Sequence, residues 1–157
     1  MTDKEIYSLW LSKSPDLRYL RPRRWDDIKK VIIEYGIKSV LEFGSGVSTL
    51  LFDNMNLRIV SYETDSNYME FTKSLCSPNV VFKLWDNKSV LIDDFYCLAL
   101  VDGILPRTYQ LEIALKHAKF IAVDDFKDSP LYEPISYERI DSRSTVLAIF
   151  VKKELNG

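Results

Sequence analysis

The stretch LEFGSGVST, residues 41–49, decides the fold of this chain. Its first half belongs to a short apolar run, 38–44, that predicts a buried strand ending at glycine. Gly44 and Gly46 stand one residue apart where this strand gives way to a helical pattern. Two glycines in such a turn let the backbone pass close to a ligand without side-chain obstruction. The turn is therefore predicted to bind a ligand through residues that it supplies itself: Gly44, Ser45, Gly46 and Ser48.

On both sides of this turn, apolar runs of strand type alternate with amphipathic runs of helix type. Two helices are predicted before the first strand, over 3–12 and 25–35, and Gly36 is expected to end the second. After the turn, the predicted order is helix 48–55, strand 58–63, helix 65–76, strand 79–85, strand 95–101, helix 107–118 and strand 119–124. Strands separated by helices predict parallel pairing through right-handed crossovers.

Two segments depart from this alternation. Residues 86–94, DNKSVLIDD, are too few for a full crossover helix, so a trimmed connection is predicted there. The chain ends in two β-rich runs, 136–143 and 144–153, with a turn between them. This arrangement predicts a terminal antiparallel hairpin.

The composition is that of one folded domain spanning residues 1–157. With 46% hydrophobic and 28% charged residues, the chain is unlike polar, disordered sequences. A net charge of −2 provides no field that would attract nucleic acid or an anionic membrane. No segment has the apolar core of a signal peptide or the ~20 apolar residues of a membrane span, so a cytoplasmic location is predicted. One basic cluster could contact phosphates, but it is interpreted as a solvated surface before the second helix: Arg18, Arg21, Arg23 and Arg24.

The residues around the glycine turn distinguish between two nucleotide-type ligands. A dinucleotide fingerprint has a third glycine, and here Ser48 and Thr49 occupy that region. Glu42 precedes the first glycine by two residues, where a carboxylate would repel a pyrophosphate. The same carboxylate suits a ligand that carries an ammonium group and a sulfonium. The pattern therefore favours S-adenosylmethionine over NAD.

Acidic and aromatic residues at the ends of the next two strands fit a nucleoside. Glu63 follows the first glycine by about 20 residues and could accept both hydroxyl hydrogens of a ribose. Asp65 is interpreted instead as the cap of the helix that begins at residue 66. Trp85 and Asp86 end the third strand, either as a wall and a hydrogen-bond acceptor for adenine or as a core residue and a turn residue.

The order LEFGSGVST, SYE, LWD, LALVDG, FIAVDDF and a final hairpin, over residues 36–152, resembles the class I S-adenosylmethionine-dependent methyltransferases. The segment VDGILPR is similar to the Asp-Gly-x-x-x-Arg of some small O-methyltransferase-like members. The resemblance implies a three-layer, Rossmann-like α/β fold whose seven-stranded sheet is mostly parallel with an antiparallel last strand. It also implies the ligand contacts: Glu42, Gly44 and Gly46 with the methionine part, Glu63 with the ribose, Trp85 and Asp86 with adenine, and Asp102 beside the methyl group.

Departures from the family pattern bear on the substrate. No NPPY-like sequence follows the fourth strand, which disfavours methylation of a nucleic-acid base. The chain has no inserted substrate domain. The substrate side is therefore expected to be formed by the N-terminal helices within 1–35, as a cap, and by the 125–136 loop.

Three carboxylates are expected to meet at one edge of the sheet, because Asp102 ends one predicted strand and Asp124 and Asp125 end the next. Such a cluster suits Mg²⁺ or Ca²⁺ and resembles the catechol-type O-methyltransferases, although the last pair there is usually Asp-Asn. We predict instead that the site holds no metal and that one of the three carboxylates is a general base. His117, late in a helix, is not assigned to catalysis.

Together these patterns predict an enzyme that transfers the methyl group of S-adenosylmethionine to an oxygen or nitrogen of a small-molecule or glycan-type acceptor. One alternative is another reaction of the same cofactor, such as aminopropyl transfer or sulfonium cleavage, since fold and cofactor do not fix the chemistry. A second alternative is a cofactor-binding partner protein without catalytic activity. A small-molecule substrate is expected, with neither nucleic acid nor a membrane as partner.

Overall fold

The computed structural model describes residues 1–14, 18–88, 90–126, 136–141 and 146–154. In these ranges, α-helices cover both faces of one sheet. The helices are α1 (Asp3–Lys13), α2 (Pro22–Tyr35), α3 (Val47–Asn54), α4 (Ser66–Leu75) and α5 (Thr108–His117). The strands are β1 (Ser39–Phe43), β2 (Arg58–Glu63), β3 (Val81–Leu84), β4 (Tyr96–Val101), β5 (Ala118–Asp124), β6 (Tyr137–Arg139) and β7 (Leu147–Lys152). Each lies within a few residues of its predicted place in the chain.

The strand order in this sheet is β3-β2-β1-β4-β5-β7-β6. The first five strands of the chain pair in parallel, and β7 runs antiparallel to both β5 and β6. The predicted sheet, mostly parallel with an antiparallel last strand, is confirmed. In this register Phe43 lies opposite Tyr62 of β2 and Val101 of β4, so three strands end side by side.

Both faces of the sheet are buried, as parallel sheets require. Val40 of β1 packs into the hydrophobic cluster beneath α1, α2 and α3. Its neighbours Leu41 and Phe43 pack on the opposite face, in a cluster that includes residues of α5. The alternation along β1 therefore sends successive side chains to different layers. The result is the three-layer α/β architecture that the resemblance implied.

The trimmed connection between β3 and β4 contains no helix in its described residues, 85–88 and 90–95. Trp85 fills part of the space that a crossover helix would otherwise cover. Its ring lies 5.2 Å from the Phe43 ring and 5.8 Å from the Tyr62 ring, centroid to centroid. Val90 and Ile92 of the same connection also pack against this cluster, so the short segment covers the sheet face without a helix.

The N-terminal helices are joined to each other and to the sheet. Asp3 accepts hydrogen bonds from Trp25 Nε1 at 2.9 Å and from Lys29 Nζ at 2.7 Å, which connect α1 to α2. Helix α2 begins at Pro22, three residues earlier than predicted, because proline fits the first turn of a helix. The extra turn includes Arg24.

Residues 127–135 of the predicted substrate loop lie outside the described residues. Across the part of the chain that the structure does describe, no helix combines the length and the apolarity that crossing a membrane demands.

Candidate functional site

A cleft of about 700 Å³ opens at the carboxyl ends of the parallel strands. Its walls come from the turns that follow β1, β2, β4 and β5 and from the segment between α1 and α2. Most of the residues predicted from the sequence line it: Gly44, Ser45, Gly46, Ser48, Glu63, Trp85, Asp102, Asp124 and Asp125. Ligands of open α/β sheets bind at this edge, so the fold itself marks the cleft as the candidate site.

Gly44 is required by the packing of the turn. Its φ of +92° is one that side chains rarely adopt, and a Cβ atom there would lie 2.6 Å from the carbonyl oxygen of Asp102. Its amide donates to the Tyr62 carbonyl at 2.9 Å, while the amide of Asp102 donates to the Phe43 carbonyl at 2.9 Å. The missing side chain thus lets the turns after β1, β2 and β4 meet at the floor of the cleft.

Glu42 lies behind the glycine turn and does not line the cleft. The residue is 0% exposed, and its carboxylate accepts hydrogen bonds from three hydroxyls: Ser48 at 2.5 Å, Thr49 at 2.6 Å and Ser61 at 2.6 Å. Burial raises the pKa of Glu42 to about 7, although these hydrogen bonds oppose the shift. In the structure Glu42 therefore holds the glycine turn in place from behind, whereas the resemblance implied that it contacts the ligand directly. Side-chain alternation along β1 explains this placement, since Glu42 faces α3 as Val40 does.

Glu63 lines the cleft as predicted and is held in place by backbone amides. Its Oε2 accepts from the Ser45 amide at 2.9 Å, and its Oε1 accepts from the amides of Thr64 at 2.7 Å and Asp65 at 3.0 Å. These bonds fix the carboxylate beside the glycine turn. Asp65 caps α4 by accepting from the Tyr68 amide at 3.0 Å, as the sequence predicted.

Trp85 and Asp86, predicted together, are separated by the structure. Trp85 is buried, lines the cleft and donates from Nε1 to the Lys88 carbonyl at 2.8 Å. Asp86 is exposed and accepts from the Lys88 amide at 3.2 Å, outside the cleft. For Asp86 the structure thus favours the turn interpretation, whereas Trp85 is both a core residue and a wall of the cleft.

The carboxylates of Asp102, Asp124 and Asp125 meet at one side of the cleft, and we call this cluster the acidic rim. Two arginines contact it. Arg24 donates from Nη1 to Asp124 at 2.8 and 2.9 Å and to Asp125 at 3.0 Å. Arg107 places Nη2 3.6 Å from Asp102 Oδ1, donates from Nε to the Gly103 carbonyl and donates from Nη1 to the Asp124 carbonyl. Arg24 thus bridges Asp124 and Asp125, while Arg107 lies beside Asp102.

Burial and mutual repulsion make the acidic rim hold a proton tightly. The pKa of Asp102 is raised well above its ordinary value by burial and then by the charge of Asp124. Burial also raises the pKa of Asp124, against the lowering effect of Arg24. Three carboxylates facing two guanidiniums approach neutrality when the Asp102–Asp124 pair shares one proton. Among the described residues, no group of three or more His, Cys, Asp or Glu side chains has an arrangement that could hold a metal ion.

Comparison with known proteins shows which solved structures share this fold. No protein-family model and no curated protein matches the sequence. Among solved structures, a candidate caffeoyl-CoA O-methyltransferase from Staphylococcus aureus superposes with a TM-score of 0.75 at 14% identity, over 98% of this chain and 93% of that one. A Podospora anserina methyltransferase bound to S-adenosylhomocysteine superposes with a TM-score of 0.75 at 14% identity, over 97% of this chain and 88% of that one. A Bacillus cereus O-methyltransferase in complex with S-adenosylhomocysteine has a TM-score of 0.72 at 15% identity, over 96% of this chain and 90% of that one.

The chain has the class I methyltransferase fold. The fold implied by the sequence resemblance is therefore confirmed at low sequence identity. In this fold the glycine turn after β1 and the acidic end of β2 lie at the same edge of the sheet, as they do here.

Within this methyltransferase fold, sequence reasoning missed two contributors to the site. Arg24 was interpreted as part of a solvated cluster, but it is half-buried and pairs with residues 100 and 101 positions away. Gln110 is 1% exposed, accepts from the Gly103 amide at 3.2 Å and donates to the Ile104 carbonyl at 2.9 Å, which shapes the turn after β4. The segment VDGILPR, which resembles an Asp-Gly-x-x-x-Arg pattern of the family, had already pointed to Arg107. His117 ends α5 at the opposite edge of the sheet, where its Nδ1 lies 3.1 Å from the Asp94 carbonyl.

Proposed function

We propose that this chain is an S-adenosylmethionine-dependent methyltransferase that acts on an oxygen or nitrogen of a small acceptor. One observation carries the proposal: a cleft at the carboxyl edge of the sheet combines the strained glycine turn with Glu63, whose carboxylate three backbone amides hold in place. Two of the structural neighbours, from Podospora anserina and Bacillus cereus, carry S-adenosylhomocysteine, which supports the same ligand here.

The residues of the cleft fit the parts of this ligand. Glu63 offers a fixed acceptor for ribose hydroxyls, and Trp85 offers an aromatic wall for adenine. The glycine turn, with Ser45 and Ser48, presents small residues to the methionine part. The two guanidiniums balance the carboxylates of the acidic rim, so the preference for S-adenosylmethionine over NAD rests on the missing third glycine and on the S-adenosylhomocysteine bound in two structural neighbours.

The acidic rim supplies the proton chemistry. S-adenosylmethionine provides an activated methyl group, so the protein must chiefly align the acceptor and receive its proton. Both carboxylate oxygens of Asp124 accept from Arg24, and the residue is only 3% exposed. The Asp102 side chain is 22% exposed and faces the cleft, so it can receive the acceptor's proton there once the Asp102–Asp124 pair has lost the proton that it shares. We assign Asp102 to proton removal, Asp124 as its proton-sharing partner, and Arg24 and Arg107 to positioning this pair.

The balance of the proposed step is simple. S-adenosylmethionine, when bound, would supply the methyl group and keep the electrons of the broken S–C bond on its sulfur, and Asp102 would receive the proton that the acceptor oxygen or nitrogen gives up. The by-product is S-adenosylhomocysteine. The arginines at the acidic rim provide fixed positive charge without a bound ion, which supports the metal-free interpretation.

The proposal is tested by incubating the protein with S-adenosylmethionine and a panel of phenols, amines and sugars, then identifying the adenosine-containing product. S-adenosylhomocysteine indicates methyl transfer, whereas methylthioadenosine indicates aminopropyl transfer or sulfonium cleavage. Binding without either product points to a non-catalytic partner protein. Tighter binding of NAD than of S-adenosylhomocysteine in calorimetry would refute the cofactor assignment.

The same assay tests the assignment of Asp102. Asp102→Asn should lower the rate by about 10²–10⁴-fold if Asp102 is the base. Asp93→Asn, at an exposed site outside the cleft, is the matched control and should retain full activity. Chelator should leave the rate unchanged, and inhibition by chelator that Mg²⁺ reverses would contradict the metal-free site.

A further inference from the structure

Arg21 stands apart from the other arginines of the cleft. It lines the cleft and its side chain is exposed. Arg24 and Arg107 are committed to the acidic rim. Within the ranges that the structure describes, no carboxylate lies within ion-pair distance of the Arg21 guanidinium. The guanidinium of Arg21 is thus a positive group at the cleft that takes no part in an ion pair with another described residue.

Aromatic packing holds this guanidinium in position. The Arg21 Cζ atom lies 4.5 Å from the centre of the Tyr19 ring, and the Tyr19 ring lies 6.0 Å from the ring of Tyr7. Tyr7 is 7% exposed, and its hydroxyl donates to the Leu20 carbonyl at 2.9 Å. The stack therefore anchors the segment before α2 to the core.

The backbone of Arg21 is fixed as well. Its carbonyl accepts from the amides of Arg24 and Trp25, each at 3.0 Å, as the N-cap of α2. A guanidinium whose face rests on an aromatic ring keeps its N–H groups free at the edge of the plane. Such a group is prepared to bind a carboxylate or a phosphate through paired hydrogen bonds.

We propose that Arg21 binds an anionic group of the methyl acceptor, so that the substrate is a small molecule bearing a carboxylate or a phosphate. This inference rests on the proposed function. Arg21 belongs to the N-terminal segment that was predicted to form the substrate-side cap, and not to the glycine turn that faces the methionine part. Apolar side chains at the opening of the cleft, Ile104 at 57% and Leu105 at 58% exposure, can cover the uncharged body of such a substrate.

The first test measures anion binding by calorimetry with the protein saturated with S-adenosylhomocysteine. The probes are benzoate and phenyl phosphate, with benzyl alcohol as the neutral counterpart. Wild type should bind both anions and bind the alcohol far more weakly. Arg21→Ala should weaken anion binding by about 10-fold or more, and Arg21→Lys by less, because lysine keeps the charge and loses the paired geometry.

Arg23→Ala is the matched control, since Arg23 is exposed in the first turn of α2 but does not line the cleft. Its anion affinity should equal that of wild type. The Arg21 side chain makes no cap hydrogen bond to α2, so its removal should leave the helix intact. Equal losses in the Arg21 and Arg23 variants, no loss in Arg21→Ala, or no anion binding by wild type would each overturn the proposal.

A second test separates the acceptor from the carboxylate of the cofactor itself. Wild type and Arg21→Ala are titrated with S-adenosylhomocysteine and with 5′-methylthioadenosine, which lacks the amino-acid group. The proposal expects equal affinities of the two proteins for both ligands. If Arg21→Ala weakens only S-adenosylhomocysteine, Arg21 binds the methionine carboxylate and the proposal is wrong. Failure of wild type to bind S-adenosylhomocysteine would instead refute the proposed function, and anion titrations without it would still decide whether Arg21 binds anions.

Discussion

Replacement of Glu42 by glutamine is expected to change how the stability of the chain depends on pH. Glu42 is fully buried, and its pKa rises from an ordinary value of 4.5 to about 7 in the folded chain. The folded state therefore binds the proton more tightly than the unfolded state does. The stabilising effect of this protonation is complete below pH 4.5 and is lost as the pH rises through 7.

The magnitude follows from the shift. Because each pKa unit corresponds to about 1.4 kcal/mol, wild type should lose about 2–3 kcal/mol of unfolding free energy between pH 5 and pH 8 through this one group. Glutamine has the shape of the protonated acid and can keep the contacts to the hydroxyls of Ser48, Thr49 and Ser61, provided that Ser48 turns to accept. The unfolding free energy of Glu42→Gln should therefore not show this decrease between pH 5 and pH 8.

Urea unfolding at pH 5, 6, 7 and 8 measures the effect, with the fluorescence of the buried residues Trp10, Trp25 and Trp85 as the signal. The control is Glu34→Gln, which changes an exposed glutamate of α2 and should run parallel to wild type. The reasoning is refuted if the difference between wild type and Glu42→Gln stays constant from pH 5 to pH 8, or if it changes with the opposite sign.

Three further changes address the glycine turn, the proposed ribose contact of Glu63 and the acidic rim. Gly44→Ala should lower the unfolding free energy by about 2–4 kcal/mol, because its Cβ meets the Asp102 backbone; Gly36→Ala, with φ of +63° and no atom within 4 Å, should cost only about 1 kcal/mol in the same urea titration. Glu63→Ala should weaken S-adenosylhomocysteine binding by about 1.5–3 kcal/mol in calorimetry, and an unchanged affinity in the folded variant would remove Glu63 from the ligand site. Arg24→Ala should move the acidic limb of the rate profile to higher pH, since Arg24 lowers the pKa of Asp124; an unmoved limb would show that this pair does not control the rate.

The order of helices and strands could be predicted because it follows from local patterns. The short run SVLEF predicted strand β1, and the two glycines after it predicted the turn. Asp65 by itself predicted the N-cap of α4. Even the short β3–β4 connection was evident from its length. The start of α2 was placed three residues late, because the prediction relied on apolar spacing and gave no weight to Pro22 in the first turn.

The direction of Glu42 was open to the same local reasoning and was nevertheless misplaced. Successive residues of a strand point to opposite faces, so Glu42 had to share a face with Val40 and not with Phe43. The expected contact with the ligand came from the charge of Glu42 and from the resemblance, and neither takes the direction of the side chain into account. The hydroxyls of Ser48, Thr49 and Ser61 had been visible in the sequence as partners for a buried carboxylate.

The sequence by itself determined the alternation of strands and helices, the glycine turn after β1 and the meeting of Asp102 with Asp124 and Asp125 at one edge of the sheet. Only the tertiary structure placed Arg24 between Asp124 and Asp125, because that contact joins residues about 100 positions apart and depends on how α2 lies across the sheet. The same holds for Arg21, whose position above Tyr19 beside the cleft follows from packing of the N-terminal segment on the core. Local patterns fix elements through short-range sterics and hydrophobic periodicity, whereas the charge balance of a site depends on which elements the folded sheet brings together.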